Sequence, residues 1–383
     1  MNFDYSVVLP CLNEELTLGE CIQEAFRGAE EAGLKVEVIV ADNGSTDSSR
    51  AIAKKYGARV VEAPLRGYGA ALDAGIKAAK TELILMGDAD CSYSFVEGVQ
   101  LVNLLRDKEL DFVIGNRFAG KIEKKAMPAL HRYLGNPVLS YLGRKFFSIS
   151  IKDFHCGIRA VRQSTYLVAS PNTKGMEFAT EMIAKFANMG ASFDEVPVTL
   201  RKDKRNRRPH LRSFPDGWRH LKMMLLFSPQ YFLLFPGIVL SVLGVIGLIE
   251  FTICGKVYLI FGAGKVQAAI ISLLGYIIGL QLISASFISM AHSVSKNVLR
   301  FELWSRVSEI IRSKSFSLIS SLLIFLAILS LVSFGAGWIN ENMPAVNAIV
   351  GARRSLPIVA LAVTGVQGLI CSIQVRQILS KFW

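Results

Sequence analysis

The chain has 383 residues, 51% of them hydrophobic, and a formal net charge of +12. Up to about residue 229 it reads as an ordinary soluble mixture and beyond that as long apolar blocks, which excludes one uniform globular domain and implies two unlike halves. The basic excess peaks between Arg201 and Lys222, directly before the first apolar block, and so points to an anionic membrane surface or phosphate-bearing ligands rather than nucleic acid.

The opening "MNFDYSVVLP" lacks a basic flank and a cleavable apolar core, so no secretory leader is expected and the first half should stay on the side where it was made. Cys11, Cys21, Cys91, Cys156, Cys254 and Cys371 are scattered without a C-x-x-C pair, so reduced thiols are expected rather than a disulfide framework or a zinc site. Apolar, β-branched runs at Ser6–Leu9, Val36–Ala41, Arg59–Glu62, Leu83–Met86 and Phe112–Ile114 predict strands. Segments with helical spacing separate them, among them Glu14–Ala32, Thr46–Tyr56 and Gly69–Ala79. This alternation predicts an α/β domain with a largely parallel sheet.

In such sheets ligands bind beyond the carboxyl ends of the strands. The residues there read "PCLNEE", "DNGSTD" and "GDADCS" after the first, second and fourth runs. Pro10 and Asn13 can simply stop a strand and start a helix, and "DNGSTD" is also a good turn and N-cap. Asp88 and Asp90 ask for more. In an extended segment residues i and i+2 point to one side, so both carboxylates converge. Two anions so placed repel unless a cation or protons sit between them, and an oxygen-only donor set favours Mg2+ or Mn2+. Such an ion completes its shell with water and substrate phosphates, which a diphosphate would supply.

Apolar blocks near Tyr231–Ile253, Val266–Ala291, Phe316–Trp338 and Leu356–Val375 are each long enough to cross a hydrocarbon core of ~30 Å. The connection "HSVSKNVLRFELWSRVSEIIRSKS" carries five Lys and Arg, whereas "GKVYLIFGAGK" and "NENMPAVNAIVGARRS" carry two each. The positive-inside rule then places the N-terminal domain, the middle connection and the C-terminus in the cytoplasm. Just before the blocks, "FPDGWRHLKMMLLFSPQYF" mixes Trp218, Arg219 and Lys222 with a Leu/Met face and reads as an interfacial helix, an ordinary amphipathic linker being the alternative. The expected division is a domain over 1–213, an interfacial helix over 214–229 and a transmembrane domain over 230–383, whose apolar spans are compatible with a homo-oligomer.

The stretches "VVLPCLNEE", "VIVADNGSTD", "RGYGAALDAGI", "ILMGDADCSY", "VIGNRF", "DFHCGIRAV", "GMEFATEM" and "EVPVTLRKDKRNRRPHLRSFPDGWRHL" stand in the order and approximate spacing of a known family. Over about residues 3 to 229 the chain resembles family 2 glycosyltransferases, and among them the bacterial relatives of dolichol-phosphate mannose and glucose synthases, the polyprenyl-phosphate glycosyltransferases. The resemblance implies a GT-A fold, an inverting transfer from a nucleotide-sugar donor, and location in a bacterial inner (plasma) membrane with the catalytic domain cytoplasmic. It also implies that Pro10, Asn13 and Glu14 border the nucleotide, that Asp42 meets the base, and that Asp88 and Asp90 form a D-x-D element holding Mg2+ or Mn2+ and, through it, the donor diphosphate. The usual "DDGS" departs to Asn43 here. "RGYGAAL" lacks the third glycine of a dinucleotide fingerprint and does not follow the first strand, so Gly67 and Gly69 more plainly serve a close approach to the donor or a tight turn.

The implied acceptor is a polyprenyl (undecaprenyl) phosphate in the lipid bilayer, with UDP-glucose or a similar UDP-hexose as donor. A phosphate monoester has a second pKa of about 6 and is mostly ionised near neutral pH, so strong general-base catalysis is less necessary than neutralising two approaching anions. Arginines do that: Arg117 in "GNRF", Arg132 in "HRYLGNP" and Arg159 in "DFHCGIR" stand on matched motifs, while Arg201, Arg205, Arg207, Arg208 and Arg212 read as lipid-attracted charge. Asp153 in "KDFHCG" is the preferred base or orienting group, Glu181 in "FATEM" a second carboxylate with a capping or Arg-pairing alternative, and His155 a polar neighbour. Three other readings compete. A neutral lipid hydroxyl such as diacylglycerol or ceramide would make a base obligatory; a processive polysaccharide synthase would show a Q-x-x-R-W element, and none occurs. A transporter or scaffold is disfavoured by the complete set of acidic motifs.

Overall fold

The structure is a computed structural model that describes residues 3–204, 213–258, 265–295, 302–340 and 348–380. Arg205, Arg207, Arg208 and Arg212 of the basic cluster lie outside the described residues, as do Lys296 and Arg300 of the middle connection. The chain divides into two compact units, Met1–Phe227 and Ser228–Trp383. The segment read as interfacial therefore belongs by its contacts to the first unit.

In the first unit seven strands form one sheet: β1 Tyr5–Cys11, β2 Val36–Asp42, β3 Arg59–Glu62, β4 Leu83–Met86, β5 Phe112–Asn116, β6 Arg159–Arg162 and β7 Phe193–Pro197, in the order β3-β2-β1-β4-β6-β5-β7. β1 and β2 are buried along almost their whole length, which is why they read as continuous apolar runs rather than alternating ones. The helices are α1 Leu18–Glu31, α2 Ser49–Lys55, α3 Tyr68–Ala78, α4 Phe95–Asp107, α5 Asn136–Phe147, α6 Gln163–Ala169, α7 Phe178–Asn188 and α8 Ser213–Leu226, with a single π-helical turn at His131–Gly135 running into α5. α3 packs on β1 and β2, and α4 on β4, β5 and β6.

All five predicted strands are present, and β6 and β7 are added. β6 runs antiparallel to both of its neighbours, with Arg159 opposite Met86 of β4 and Ile114 of β5. A four-residue strand bounded by arginines carries little periodic signal, so local pattern does not announce it. Its direction matters for the site. Because β6 begins where β4 and β5 end, the loop before it, residues 153–158, arrives at the same sheet edge as Asp88 and Arg117.

The second unit contains α9 Phe235–Cys254, α10 Val266–Ser295, α11 Glu302–Arg312, α12 Lys314–Asn340 and α13 Ala348–Ser380. Among the described residues four stretches are long and apolar enough to cross a membrane: Gln230–Cys254, Val266–His292, Lys314–Gly337 and Ile349–Ser380. The fourth contains the expected Leu356–Val375 and is longer, because the helix starts eight residues earlier and takes in Arg353 and Arg354. Arg353 is accommodated because its Nε and Nη2 donate to the carbonyls of Thr252 and Ile253 at 2.8 and 2.7 Å, the unsatisfied end of α9. α9 and α10 meet through small residues. A Cβ added to Gly244 would lie 2.6 Å from both Ser272 O and Tyr276 N, so the two backbones approach as closely as glycine allows.

Candidate active site

β1 and β2 lie side by side with Cys11 opposite Asp42, so the loops that follow them meet. Asn13, at φ +58°, accepts from Thr46 N at 2.8 Å, and its own N–H donates to Ser45 Oγ at 3.0 Å. Glu14 N donates to Ser49 Oγ at 2.9 Å, while Pro10 is half-buried at the strand end. Asp42, expected at the base, is 1% exposed and accepts from Arg50 Nε at 2.7 Å as well as from the N–H groups of Gly44 and Ser45. Burial alone would raise its carboxyl, but Ser45 and Arg50 together hold it below the usual range. Asn43 explains its departure from the family pattern. Its Nδ2 donates to Leu65 O and its Oδ1 accepts from Gly67 N, both at 2.7 Å, and a carboxylate could make only the second bond.

The acidic element differs from expectation in one respect. β4 ends at Met86 and the chain turns at Ala89–Asp90, with Cys91 at φ +62°, so strand alternation does not place both carboxylates on one side. Asp88 is half-buried and accepts from Tyr68 Oη at 3.0 Å, whereas Asp90 is 6% exposed and accepts from Ser92 N at 2.9 Å. The turn is anchored by Thr17 Oγ1, which donates to Ala89 O at 2.7 Å. Among the described residues no group of three or more His, Cys, Asp or Glu side chains gathers for a metal. Two hard carboxylates fit a divalent ion that takes its remaining ligands from a diphosphate and water, and they do not fit an all-protein cage. Beside the turn, the buried thiols of Cys21 and Cys91 stand 3.6 Å apart, a juxtaposition that their sequence positions conceal.

Across the same edge, Asp153 is 0% exposed and takes three hydrogen bonds from Arg117: from N at 3.0 Å, and from Nε and Nη2 at 2.7 Å each. The carboxylate read as a base or orienting group thus has both oxygens on the arginine read as a phosphate contact. Burial would lower the Arg117 pKa, but Tyr93 and Asp153 hold it well above its ordinary value. Arg159 is placed differently from expectation. At 1% exposure it donates to the carbonyls of Cys156, Ala179 and Phe154, bracing the 153–158 loop against α7 instead of facing an open site. Arg132 sits half-buried on the π-helical turn, its guanidinium 5.6 Å from the Tyr133 ring, with no ion-pair partner among the described residues. Burial, and after it the charge of Arg117, lower the pKa of the adjacent His131, so this turn lies within the electrostatic reach of Arg117.

Glu181 is buried and accepts from Asn172 N, Thr173 N and Thr173 Oγ1 while pairing with Lys185 at 3.1 Å, so it holds a loop and its cation is a lysine. His155 lies 4.7 Å from His220, which bonds Thr180 Oγ1 at 2.7 Å. Burial, then His220 and Arg117, hold His155 well below the usual histidine range. One feature went unread in the sequence. Leu130, Tyr133, Leu134, Val138 and Tyr141 leave the π-turn and α5 with an exposed apolar face, beside which Arg144 lies 5.9 Å from the Tyr141 ring. Their helical spacing, interleaved with Arg132, Arg144 and Lys145, is the signal that would have found it.

The family model described as Glycosyl transferase family 2 matches residues 6–167. The low-salt glycan biosynthesis hexosyltransferase Agl6 of Haloferax volcanii is 38% identical over 244 residues, 64% of this chain and 58% of that protein, so this chain spans less than two thirds of it. A dolichyl-phosphate hexose transferase of the same organism is 30% identical over 199 residues, 52% of this chain and 83% of that protein. Among solved structures, the glucosyl-3-phosphoglycerate synthase of Mycobacterium tuberculosis aligns at 23% identity and a TM-score of 0.47, covering 59% of this chain and 80% of that one. With its GT-A-like α/β unit followed by four apolar helices, and with motif, profile and relatives in agreement, the chain belongs to glycosyl transferase family 2.

Proposed function

We propose that this protein transfers a hexose from a nucleotide-diphosphosugar, a UDP-hexose such as UDP-glucose, to a polyprenyl phosphate at the cytoplasmic face of a bacterial plasma membrane. The observation that carries the reading is the meeting, at one sheet edge, of the acidic Asp88–Asp90 turn with the Arg117–Asp153 pair, in a chain that also has four apolar helices. The donor would occupy the crevice beyond β1 and β4, where the strand order reverses and where Pro10, Asn13 and Glu14 also lie. Asp88 and Asp90 would hold Mg2+ or Mn2+, which when bound neutralises charge on the donor diphosphate. Asp153 keeps the Arg117 fork oriented, and Arg132, without a carboxylate partner among the described residues, receives the acceptor phosphate. A phosphate oxygen of the acceptor then attacks the anomeric carbon from the side opposite the leaving group. The bond to the diphosphate breaks, its electron pair leaves with the nucleotide, and the configuration inverts.

The acceptor class draws support from the relative named a dolichyl-phosphate hexose transferase and from the exposed apolar face around Arg132, a surface suited to a lipid headgroup zone. A neutral hydroxyl acceptor needs a free base, and both oxygens of Asp153 are engaged by Arg117. A screen of radiolabelled nucleotide sugars against undecaprenyl phosphate and diacylglycerol tests the reading, with labelled product expected on the phosphate alone. Arg132→Ala should raise the KM for the polyprenyl phosphate about tenfold to a hundredfold with little change in nucleotide binding. Product on diacylglycerol and an unimpaired Arg132→Ala enzyme would overturn the acceptor assignment.

A further inference from the structure

The stretch "RGYG" is left over from the donor, metal and acceptor roles, and the structure shows what surrounds it. Gly67 takes φ +134°, and a Cβ there would lie 2.1 Å from Lys174 O. At Gly69 a Cβ would lie 2.5 Å from Thr173 O and from the Phe178 side chain, and Gly69 N donates to Lys174 O at 2.9 Å. Thr173 is in turn held by Glu181, and Gly67 N by Asn43. Two glycines thus press the loop flat against residues 173–174, and Tyr68 between them is set with its hydroxyl 3.0 Å from Asp88 Oδ1. On the other side of the same carboxylate, a Cβ at Gly157 would come within 2.5 Å of Asp88 Oδ2.

We propose that Tyr68 is a positioning residue for the metal-holding carboxylate: its O–H, opposed by the bare Gly157, fixes the orientation in which Asp88 meets a divalent cation. The inference rests on the reading of Asp88 and Asp90 as metal ligands. Asp88 lies on a loop just past a strand end, and the Tyr68 donor on one oxygen with the bare Gly157 against the other narrows the rotamers it can take before the ion arrives. Partners of this kind are worth 10- to 100-fold in metal affinity. The role also accounts for the two flanking glycines, which a dinucleotide reading could not use.

The test is Mn2+ binding to the full-length protein in detergent, followed by the electron paramagnetic resonance signal of free Mn2+ in the presence of UDP and, separately, GDP. Tyr68→Phe keeps the ring and removes only the donor. It should raise the Mn2+ dissociation constant about tenfold, leave the thermal midpoint and metal-free nucleotide binding unchanged, and recover turnover at high Mn2+. On an Asp88→Asn background the same change should cost nothing further, since its effect passes through Asp88. If Asp90→Asn loses Mn2+ while Tyr68→Phe binds it like the unaltered protein, the Tyr68 role is wrong and the metal reading stands. An equal loss from Tyr68→Phe with and without Asp88 also overturns the role. If Asp90→Asn binds Mn2+ as well as the unaltered protein does, the metal reading falls and this inference with it.

Discussion

At the scale of single residues, Asp90 and Asp153 separate chemistry from stability. Asp90→Asn keeps an oxygen that can accept from Ser92 N, so the turn should survive with a near-native melting temperature. Turnover should nevertheless fall by orders of magnitude, because on the proposed reading this charge would hold the divalent ion that neutralises the leaving diphosphate. Chelation with EDTA should have the same effect and added Mg2+ or Mn2+ should reverse it; full activity in EDTA would rule out the assignment. Asp153→Asn should do the opposite first. It leaves the buried Arg117 guanidinium without its counter-charge, a loss that costs about 3–5 kcal/mol and is read in chemical denaturation. Buried His155 sets a pH dependence. Held neutral in the fold, it binds fewer protons there than in the unfolded chain, so its contribution is complete above about pH 6.5 and is lost as pH falls from there toward the lower folded value. Glu181 acts the same way further down, below its ordinary value of 4.5. Urea midpoints between pH 5 and 7.5 should therefore decline on the acid side, and His155→Gln should flatten that limb by up to about 1.4 kcal/mol per pH unit.

At the scale of elements, closeness of backbone decides tolerance. In the α9–α10 pair, the atoms that a side chain at Gly244 would strike are main-chain atoms of the partner helix, which cannot rotate away. Gly244→Leu should lower the thermal midpoint in detergent by an amount equivalent to about 1–3 kcal/mol. Gly275, also on α10, has its nearest such neighbour at 3.8 Å, so Gly275→Ala should be neutral or slightly stabilising, since alanine is the better helix former. Equal effects at the two positions would show that the close approach does not hold the helices together. In the first unit, β6 is the element on which the site depends. Its antiparallel direction delivers the Asp153 loop to Arg117, and Arg159 at its start ties that loop to α7.

At the scale of the whole molecule, the main hydrophobic core lies within Met1–Phe227, so the first unit has what it needs to fold alone. A protein ending at Phe227 should be soluble, melt cooperatively and bind the nucleotide sugar as the full chain does. Its transfer to a short, water-soluble prenyl phosphate should persist, while transfer to a long-chain acceptor in liposomes should slow markedly, because anchoring supplies local concentration. Undiminished transfer in liposomes would assign the apolar helices another purpose.

The amino-acid order alone determined the features that are local. Apolar runs made β1 to β5 legible, the polar turns after them marked the loops of the candidate site, and block length revealed four helices long and apolar enough to cross a membrane, since periodicity and hydropathy are properties of neighbouring residues. Motifs in register carried the family. Tertiary structure alone decided who meets whom. Arg117 and Asp153 are 36 positions apart, Cys21 and Cys91 are 70 apart, and Tyr68 reaches Asp88 across 20; each pairing follows from strand order and direction, which no local window contains. The same holds for Arg159, whose motif suggested a site residue and whose place beneath the sheet edge makes it a brace. It holds for α13 as well: Arg353 read as part of the connection before the last apolar block, and the helix takes it in because the free carbonyls of α9 are there to receive the arginine.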